Sequence, residues 1–332
     1  MYSSITARED AAPDRDTEIA ICVVTYRRPR ELGLLLDALR LLEVPDKCRM
    51  QVVVVDNDPQ GSAFDVLQDR AGAGGDDAWC RYVREERRGV SAARTRAVNE
   101  ALAAGADYVG FLDDDEIPVR TWLTSLYDKA RESGADLVGG PMLCRQPDAP
   151  MTRWQKFLMI GLSHHTWQKV WKDRLRARRG DLPTIITNNW FARASFLRES
   201  GMRFDDRYSL SGGEDTDFFL RFVDSGGRGA WCHEALVTEQ PTIDRLSLKY
   251  QFLRSREKSL VHFVQKKERG EVRSSKAVRA IAALRIAVGA AMFLMLFPVP
   301  WAVVSGTRSV AWGFGRLDGL GGVQSNFFAH AR

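Results

Sequence analysis

Short apolar runs alternate with stretches of helical periodicity along the first half of the chain. Residues 19–25 (IAICVVT) and 51–55 (QVVVV) are apolar and rich in β-branched side chains. Nearly continuous valine without alternation predicts strands buried on both faces, as in a parallel sheet. Between these runs Pro29 occupies a position suited to the first turn of a helix, and Leu32, Leu35, Leu36 and Leu39 recur at helical spacing, so a helix is expected over 29–42. A third strand is expected at 81–84, after a loop at 71–77 (AGAGGDD). Ser91 is placed to cap a helix that runs to about 104 and stops at Gly105. A fourth strand (108–112, YVGFL), a helix (122–131) and a strand (136–140) follow. This alternation predicts an α/β domain with a mostly parallel, helix-flanked sheet of Rossmann-like type.

Ligands of such sheets bind beyond the carboxyl ends of the strands. Three polar clusters fall there: Thr25-Tyr26-Arg27-Arg28, Asp56-Asn57-Asp58 and Asp113-Asp114-Asp115-Glu116. Their coincidence predicts one shared site. No GxGxxG follows the first strand and no GxxxxGK[ST] occurs, which removes the main support for dinucleotide and P-loop readings. Three adjacent carboxylates repel one another, and hard oxygen ligands of this kind suit Mg²⁺ or Mn²⁺ holding substrate phosphates. Continued strand alternation would point Asp113 and Asp115 the same way. An acidic surface loop is the plain alternative. Farther on, Ser211-Gly212-Gly213-Glu214-Asp215-Thr216-Asp217 opens a helix whose apolar side is expected to carry Phe218, Phe219, Phe222 and Val223. Glycines permit close approach of a ligand, and first-turn carboxylates are favoured by the helix dipole. A simple helix cap would have the same composition. Arg94, in the first turn of its helix, is a candidate phosphate or base contact, although helical arginines are commonly just solvated.

Composition changes this picture at two places. The net charge of +5 hides two basic stretches: 153–179 holds eight Lys/Arg against one Asp, and 241–285 twelve against four acids. Residues 154–179 also carry Trp154, Phe157, Leu158, Trp167 and Trp171, a mixture expected of an interfacial amphipathic helix that contacts an acceptor or a membrane, with plain tertiary packing against the catalytic domain as the alternative. Residues 287–304 (AVGAAMFLMLFPVPWAVV) are apolar over 18 positions but interrupted by Pro298 and Pro300. A kinked span, a re-entrant hairpin, an interfacial helix pair and a buried core helix all fit that run. Basic flanks favour an anionic membrane surface as partner, and nucleic acid is not expected. Five scattered cysteines without CxxC spacing argue against a disulfide framework or zinc site. Residues 1–18 are polar, without an apolar signal-type stretch, and are expected to be a flexible tail. The expected location is the cytoplasmic face of the inner or plasma membrane.

Six stretches in order, CVVTYRRP (22–29), VVVVDNDP (52–59), RGVSAARTRAVNEAL (88–102), YVGFLDDDEIPVRTWL (108–123), TNNWFARASFL (187–197) and GGEDTDFFLR (212–221), resemble the family 2 inverting glycosyltransferases with the GT-A fold. The resemblance spans about 19–260 and is closest in flavour to bacterial exopolysaccharide, succinoglycan-type enzymes. It implies a catalytic domain at 19–260; the basic, Trp-rich stretch is expected to be an insert at 153–180, and the apolar run predicts a C-terminal membrane-associating helical region at 261–332. It further implies that Thr25, Tyr26 and Arg28 line the nucleotide pocket and that Asp56 accepts from the base. Arg94 would sit near base or diphosphate, Asp113 would touch the ribose region or the metal, and Asp115 would hold the metal. Asp114 joins the donor-binding set without a specific task. Asp215 would be the catalytic base and Glu214 would position the acceptor. Two departures stand out. Where relatives carry a late histidine ligand, this chain reads Val237-Thr238-Glu239, so Glu239 is the candidate third ligand, with His233 nearby in sequence. The QxxRW of processive enzymes is replaced by Gln251-Phe252-Leu253-Arg254-Ser255, which favours transfer of one sugar. The implied reaction is metal-dependent hexosyl transfer from a nucleotide-sugar, a UDP-sugar by family habit, to a glycan or polyprenyl-pyrophosphate-linked acceptor. The rivals are a sugar nucleotidyltransferase, which would need a Gly-rich N-terminal phosphate loop, and a non-enzymatic membrane-surface binding protein, which leaves the strand-end clusters unexplained.

Overall fold

A computed structural model describes residues 15–71, 79–272, 274–323 and 325. The expected loop at 71–77 lies almost wholly outside the described residues, as does most of the expected tail. The elements run β1 (Thr17–Thr25), α1 (Pro29–Leu39), β2 (Cys48–Asp56), α2 (Phe64–Ala71), β3 (Cys80–Arg84), α3 (Val90–Ala103), β4 (Tyr108–Asp113), β5 (Glu116–Pro118), α4 (Trp122–Ser133), β6 (Leu137–Gly139) and β7 (Met142–Cys144). Then follow α5 (Arg153–Arg178), β8 (Asn189–Arg193), α6 (Ala194–Glu199), α7 (Glu214–Asp224), β9 (Gly229–Trp231), β10 (Val237–Glu239), α8 (Leu248–Glu268), α9 (Ser275–Met295) and α10 (Pro300–Leu320). They fall into two compact units. The first comprises Met1–Met142, Arg174–Asp206 and Phe218–Val237; the second Leu143–Asp173, Arg207–Asp217 and Thr238–Arg332.

The first unit is built on a seven-stranded sheet of order β3-β2-β1-β4-β8-β6-β9. Strands β1 to β4 are parallel neighbours, and only β8 runs antiparallel, to β4 and β6. Val52, Val53, Val54 and Val55 are wholly buried, because helices cover both faces. One face packs on the leucines of α1 and on Trp122, Leu123 and Leu126 of α4. The other packs on Ala93, Ala97 and Ala101 of α3 and on Phe218 and Phe222 of α7. Each fully buried aliphatic side chain contributes about 1.5–3 kcal/mol. An exposed ion pair such as Arg49–Asp16 contributes ~0–1 kcal/mol. Apolar burial therefore sets this fold and leaves the polar strand ends available for other work.

Three local expectations are corrected. Helix α3 is capped at Gly89, not Ser91, because Gly89 takes a φ of 131° that a side chain would strain, while Ser91 is buried inside the first turn. Helix α1 stops at Leu39 rather than 42, where the N–H groups of Leu41 and Leu42 turn back to Ala38 and Leu39. Val223 is 48% exposed, because the buried stripe of α7 runs through Phe218, Phe219 and Phe222 and Val223 lies one step round the helix.

The second unit is helical. Small residues let its helices approach closely: a Cβ on Gly289 would lie 2.7 Å from the Gly306 carbonyl oxygen, and one on Gly313 2.6 Å from Ile286. These contacts make α9 and α10 an antiparallel hairpin. Gly315 and Gly319 of α10 pack in turn on Ser259 and Phe263 of α8, which runs parallel to it. Hydroxyls of Ser255 and Ser259 donate to the carbonyls of Arg308 and Trp312 at 2.9 and 2.8 Å, tying α8 to α10. The apolar run 287–304 is thus broken into the end of one helix and the start of the next. Helix α5 also departs from a one-sided amphipathic pattern. Leu158, Met159 and Leu162 face inward while Trp154, Ile160, Trp167 and Trp171 are exposed, so apolar residues occupy both sides.

Candidate active site

Strand register assembles the donor-side residues in the first unit. Thr25 ends β1 opposite Asp56 of β2, and Val24 pairs with Asp113 of β4. The chain leaves β1 towards β2 on one side and β4 lies on the other, so these ends form the topological switch point where open α/β sheets bind ligands.

The acidic run is held by two arginines. Strand β4 ends at Asp113, and Asp114-Asp115 form a turn, so strand alternation does not govern where they point. Arg28 Nη1 donates to Asp114 Oδ1 at 3.0 Å and to Asp115 Oδ2 at 2.8 Å. Thr25 Oγ1 donates to the other Asp114 oxygen at 2.7 Å. The buried Arg94 donates to Asp113 at 2.9 Å. Asp113 is the more open carboxylate, with 38% of its side chain exposed against 10% for Asp115. Burial pushes the Asp114 carboxyl well above the usual carboxylate range; Arg28 opposes the shift, and Asp115 and Asp113 add to it.

A folded-state value raised in this way means that the native protein keeps a proton the unfolded chain has already released. That contribution to stability is present at acid pH and is lost as pH rises from the ordinary carboxylate value through the raised one. Asp114→Asn should flatten this segment of the stability–pH curve, read as urea midpoints from mildly acid to neutral pH. An unchanged slope in the variant would place the titration elsewhere.

Asp56 is wholly buried and already engaged. Its oxygens accept from the N–H of Asp58 at 2.9 Å, the N–H of Ala63 at 2.8 Å and the hydroxyl of Tyr82 at 3.3 Å. It therefore shapes the loop after β2. Beside that loop Arg27 has a positive φ of 55°, a strained value for a non-glycine residue, and its guanidinium lies 5.1 Å from the Tyr26 ring centroid. Sequence reasoning gave no role to four residues that frame the site. Asn57 donates to the carbonyls of Glu85 and Arg87 and accepts from the Gly89 N–H, which fixes the start of α3 and hence Arg94. Glu116 accepts from Asn188 at 2.7 Å and from the Asp113 N–H at 3.1 Å. Asn189 accepts from the Trp122 indole at 2.8 Å. Paired asparagines in TNNW were the available signal, but their partners are distant in sequence.

Glu214, Asp215 and Glu239 belong to the second unit. Gly212 and Gly213 have φ of 76° and 94°, and a Cβ on Gly213 would lie 2.5 Å from Val261, so the turn before α7 requires glycine. Gln265 donates to the Gly213 carbonyl at 2.8 Å. Asp215 Oδ1 accepts from the Thr216 N–H at 2.7 Å. Asp215 has cationic surroundings: Arg254 is the main cause of a Lys258 pKa lowered to about 8, against which Asp215 pulls upward. His165, lowered to about 4 by burial and then by Arg308, Lys258, Lys172 and Lys169, adds no charge at neutral pH. Glu239 is paired with Arg245 at 2.6 Å. His233 belongs to the first unit.

The family model described as "Glycosyl transferase family 2" matches residues 20–201, more than half of the chain. The chain belongs to glycosyltransferase family 2. This glycosyltransferase is 34% identical over 251 residues to the succinoglycan biosynthesis protein ExoM of Rhizobium meliloti (strain 1021), covering 72% of each chain. It is also similar to solved structures of S. aureus TarS 1–349, in complex with UDP (15% identity, TM-score 0.47) and with UDP-GlcNAc (14%, 0.49), each covering 92% of both chains. The mostly parallel sheet expected from the glycosyltransferase sequence is the sheet observed. All five cysteines are free thiols.

Among the described residues, no group of three or more His, Cys, Asp and Glu side chains is placed to hold a metal ion. Two carboxylates are nevertheless the usual protein share for Mg²⁺ or Mn²⁺ bound together with substrate phosphates. Asp113 and Asp115 would supply that donor set with hard oxygens, and each is paired here with an arginine that phosphate oxygens can engage instead. The residues fit such an ion.

Proposed function

We propose that this glycosyltransferase moves one sugar from a UDP-sugar, with inversion, to a hydroxyl of a glycan or polyprenyl-pyrophosphate-linked acceptor during exopolysaccharide synthesis. It would do so at the cytoplasmic membrane face. The observation that carries this reading is the polar cluster at the β1, β2 and β4 ends, where two arginines pair with three aspartates. That pairing is reversible chemistry: a donor diphosphate can take over Arg28 and Arg94 while Asp113 and Asp115 hold the cation. Bound there, the ion neutralises charge on the diphosphate.

Tyr26 and the loop anchored by Asp56 line the nucleotide side, and Asp56 retains one acceptor lone pair for a base N–H. Asp215 takes the proton of the acceptor hydroxyl. The hydroxyl oxygen forms a bond to the anomeric carbon as the bond from that carbon to the diphosphate oxygen breaks, and the nucleoside diphosphate leaves with the electron pair. One displacement inverts the centre. Glu214 positions the acceptor, and Glu239 is the candidate for a third oxygen ligand. The likeness to ExoM, whose name places it in succinoglycan biosynthesis, supports the exopolysaccharide setting.

The test is donor turnover over a panel of nucleotide sugars with Mg²⁺ or Mn²⁺ present. Hydrolysis of one nucleoside diphosphate sugar to nucleoside diphosphate is expected, competed by that free nucleotide. Release of pyrophosphate from a sugar phosphate and a nucleoside triphosphate would instead make it a nucleotidyltransferase. Absence of turnover with every donor, with and without acceptor, would leave the surface-binding reading.

A further inference from the structure

Helix α9 is long and apolar enough to cross a membrane, yet only 11% of its most apolar stretch is buried within the protein. Exposed apolar side chains run along it, with Ile281, Leu284 and Val288 exposed, and the most exposed sit at its end and in the turn beyond: Leu294 is 75% exposed, Met295 81% and Phe297 55%. The surface does not stop there. Phe297 lies 6.5 Å, centroid to centroid, from Phe157 of α5, which stacks on Trp154 at 5.0 Å. Trp301, at the start of α10, lies 6.0 Å from His164 of α5. Along α5 the exposed Ile160, Trp167 and Trp171 recur at spacings that keep them on one side, with exposed Arg153, Lys156, Lys169 and Lys172 on the same helix.

We infer that the second unit docks on an anionic lipid leaflet as a monotopic anchor, with the α9–α10 turn dipping into the acyl region and α5 lying at headgroup level. The inference rests on the membrane location proposed above and specifies how the protein meets the bilayer. Three observations select dipping over spanning. First, α9 is not free to cross alone, because Gly289, Gly306 and Gly313 fit it against α10. Second, α10 cannot accompany it through hydrocarbon. Its Arg308 donates to Gln251 at 2.9 Å and its Asp318 accepts from Arg256 at 2.5 Å, so both are tied to α8. Third, the charges of α9 set a limit of depth. Arg285 is exposed, and the ten residues from there to Met295 rise about 15 Å, half of a ~30 Å hydrocarbon core. One leaflet is therefore the reach. Indoles at the rim and lysines beside them match the interfacial region, where aromatic rings and anionic headgroups meet both.

The test uses the full chain with vesicles of phosphatidylethanolamine and phosphatidylglycerol, and with phosphatidylcholine vesicles as the uncharged arm. The wild type should float with the anionic vesicles and retain binding in high salt through its apolar tip. The double variant Leu294→Glu with Phe297→Glu should bind at least tenfold less while its donor turnover in solution and its thermal midpoint are unchanged. Leu296→Cys, compared with the parent protein, should be shielded from a membrane-impermeant maleimide on both sides of the vesicle. Labelling from the far side would demonstrate a span and overturn the one-leaflet depth. Unchanged vesicle binding by the double variant would overturn the anchor itself. A lipid-free dimer broken by the same variant would make the face a contact between copies. Absence of donor turnover by the wild type with intact flotation would refute the proposed function and leave the anchor standing.

Discussion

Asp215→Asn is expected to lower sugar transfer by on the order of 10²–10⁴-fold, the range for loss of a positioned general base, with donor affinity nearly unchanged. The amide is isosteric, and its oxygen can still accept the Thr216 N–H bond that Asp215 accepts now. Gly212 and Gly213 set the turn before it by their own backbone angles, so helix α7 should start where it does in the wild type. What the variant lacks is a group that can take the acceptor proton. The measurement is kcat for transfer beside donor Kd by calorimetry. Near-normal kcat would exclude Asp215 as the base. A donor Kd weakened in step with kcat would mean that Asp215 acts on donor binding instead.

Removing divalent cations should abolish turnover and leave the protein folded. The distinction follows from the way the acidic run is held. Arg28 bridges Asp114 and Asp115 and Arg94 holds Asp113, so each of the three carboxyl groups already has a cationic partner without an ion. EDTA should therefore shift the thermal midpoint little while activity disappears, and Mg²⁺ or Mn²⁺ should restore it. Asp115→Ala should lose about 10²–10³-fold in kcat even in excess metal, the scale seen when one preorganised electrostatic contact to developing charge is removed. Its fold should survive, because Arg28 keeps Asp114 at 3.0 Å. Full activity in chelator would sink the metal role outright. Unfolding in chelator would show that the arginines do not balance the cluster.

These two expectations draw on sequence and structure unequally. Valine runs, leucine spacing and polar strand ends were legible because burial on both faces of a parallel strand leaves a local pattern. The same locality explains the errors. Ser91 has the composition of a helix cap, but the backbone angle that decides the cap belongs to Gly89, whose N–H is taken by Asn57 from the loop after β2. Asp113 and Asp115 share a face only if the strand continues, and it ends at Asp113.

The sequence by itself determined the alternating α/β plan, the family, and the carboxylates and arginines available for chemistry, since each follows from residue type and short-range spacing. Only the tertiary structure decided which arginine meets which aspartate, because Arg28 and Asp115 are brought together by parallel strands β1 and β4 rather than by neighbourhood in the chain. It also decided the fate of the apolar run at 287–304. Hydropathy counts residues and sees one segment of near-spanning length. Packing of Gly289 on Gly306 folds that segment into two helices, and the charges of α10 are then held against α8.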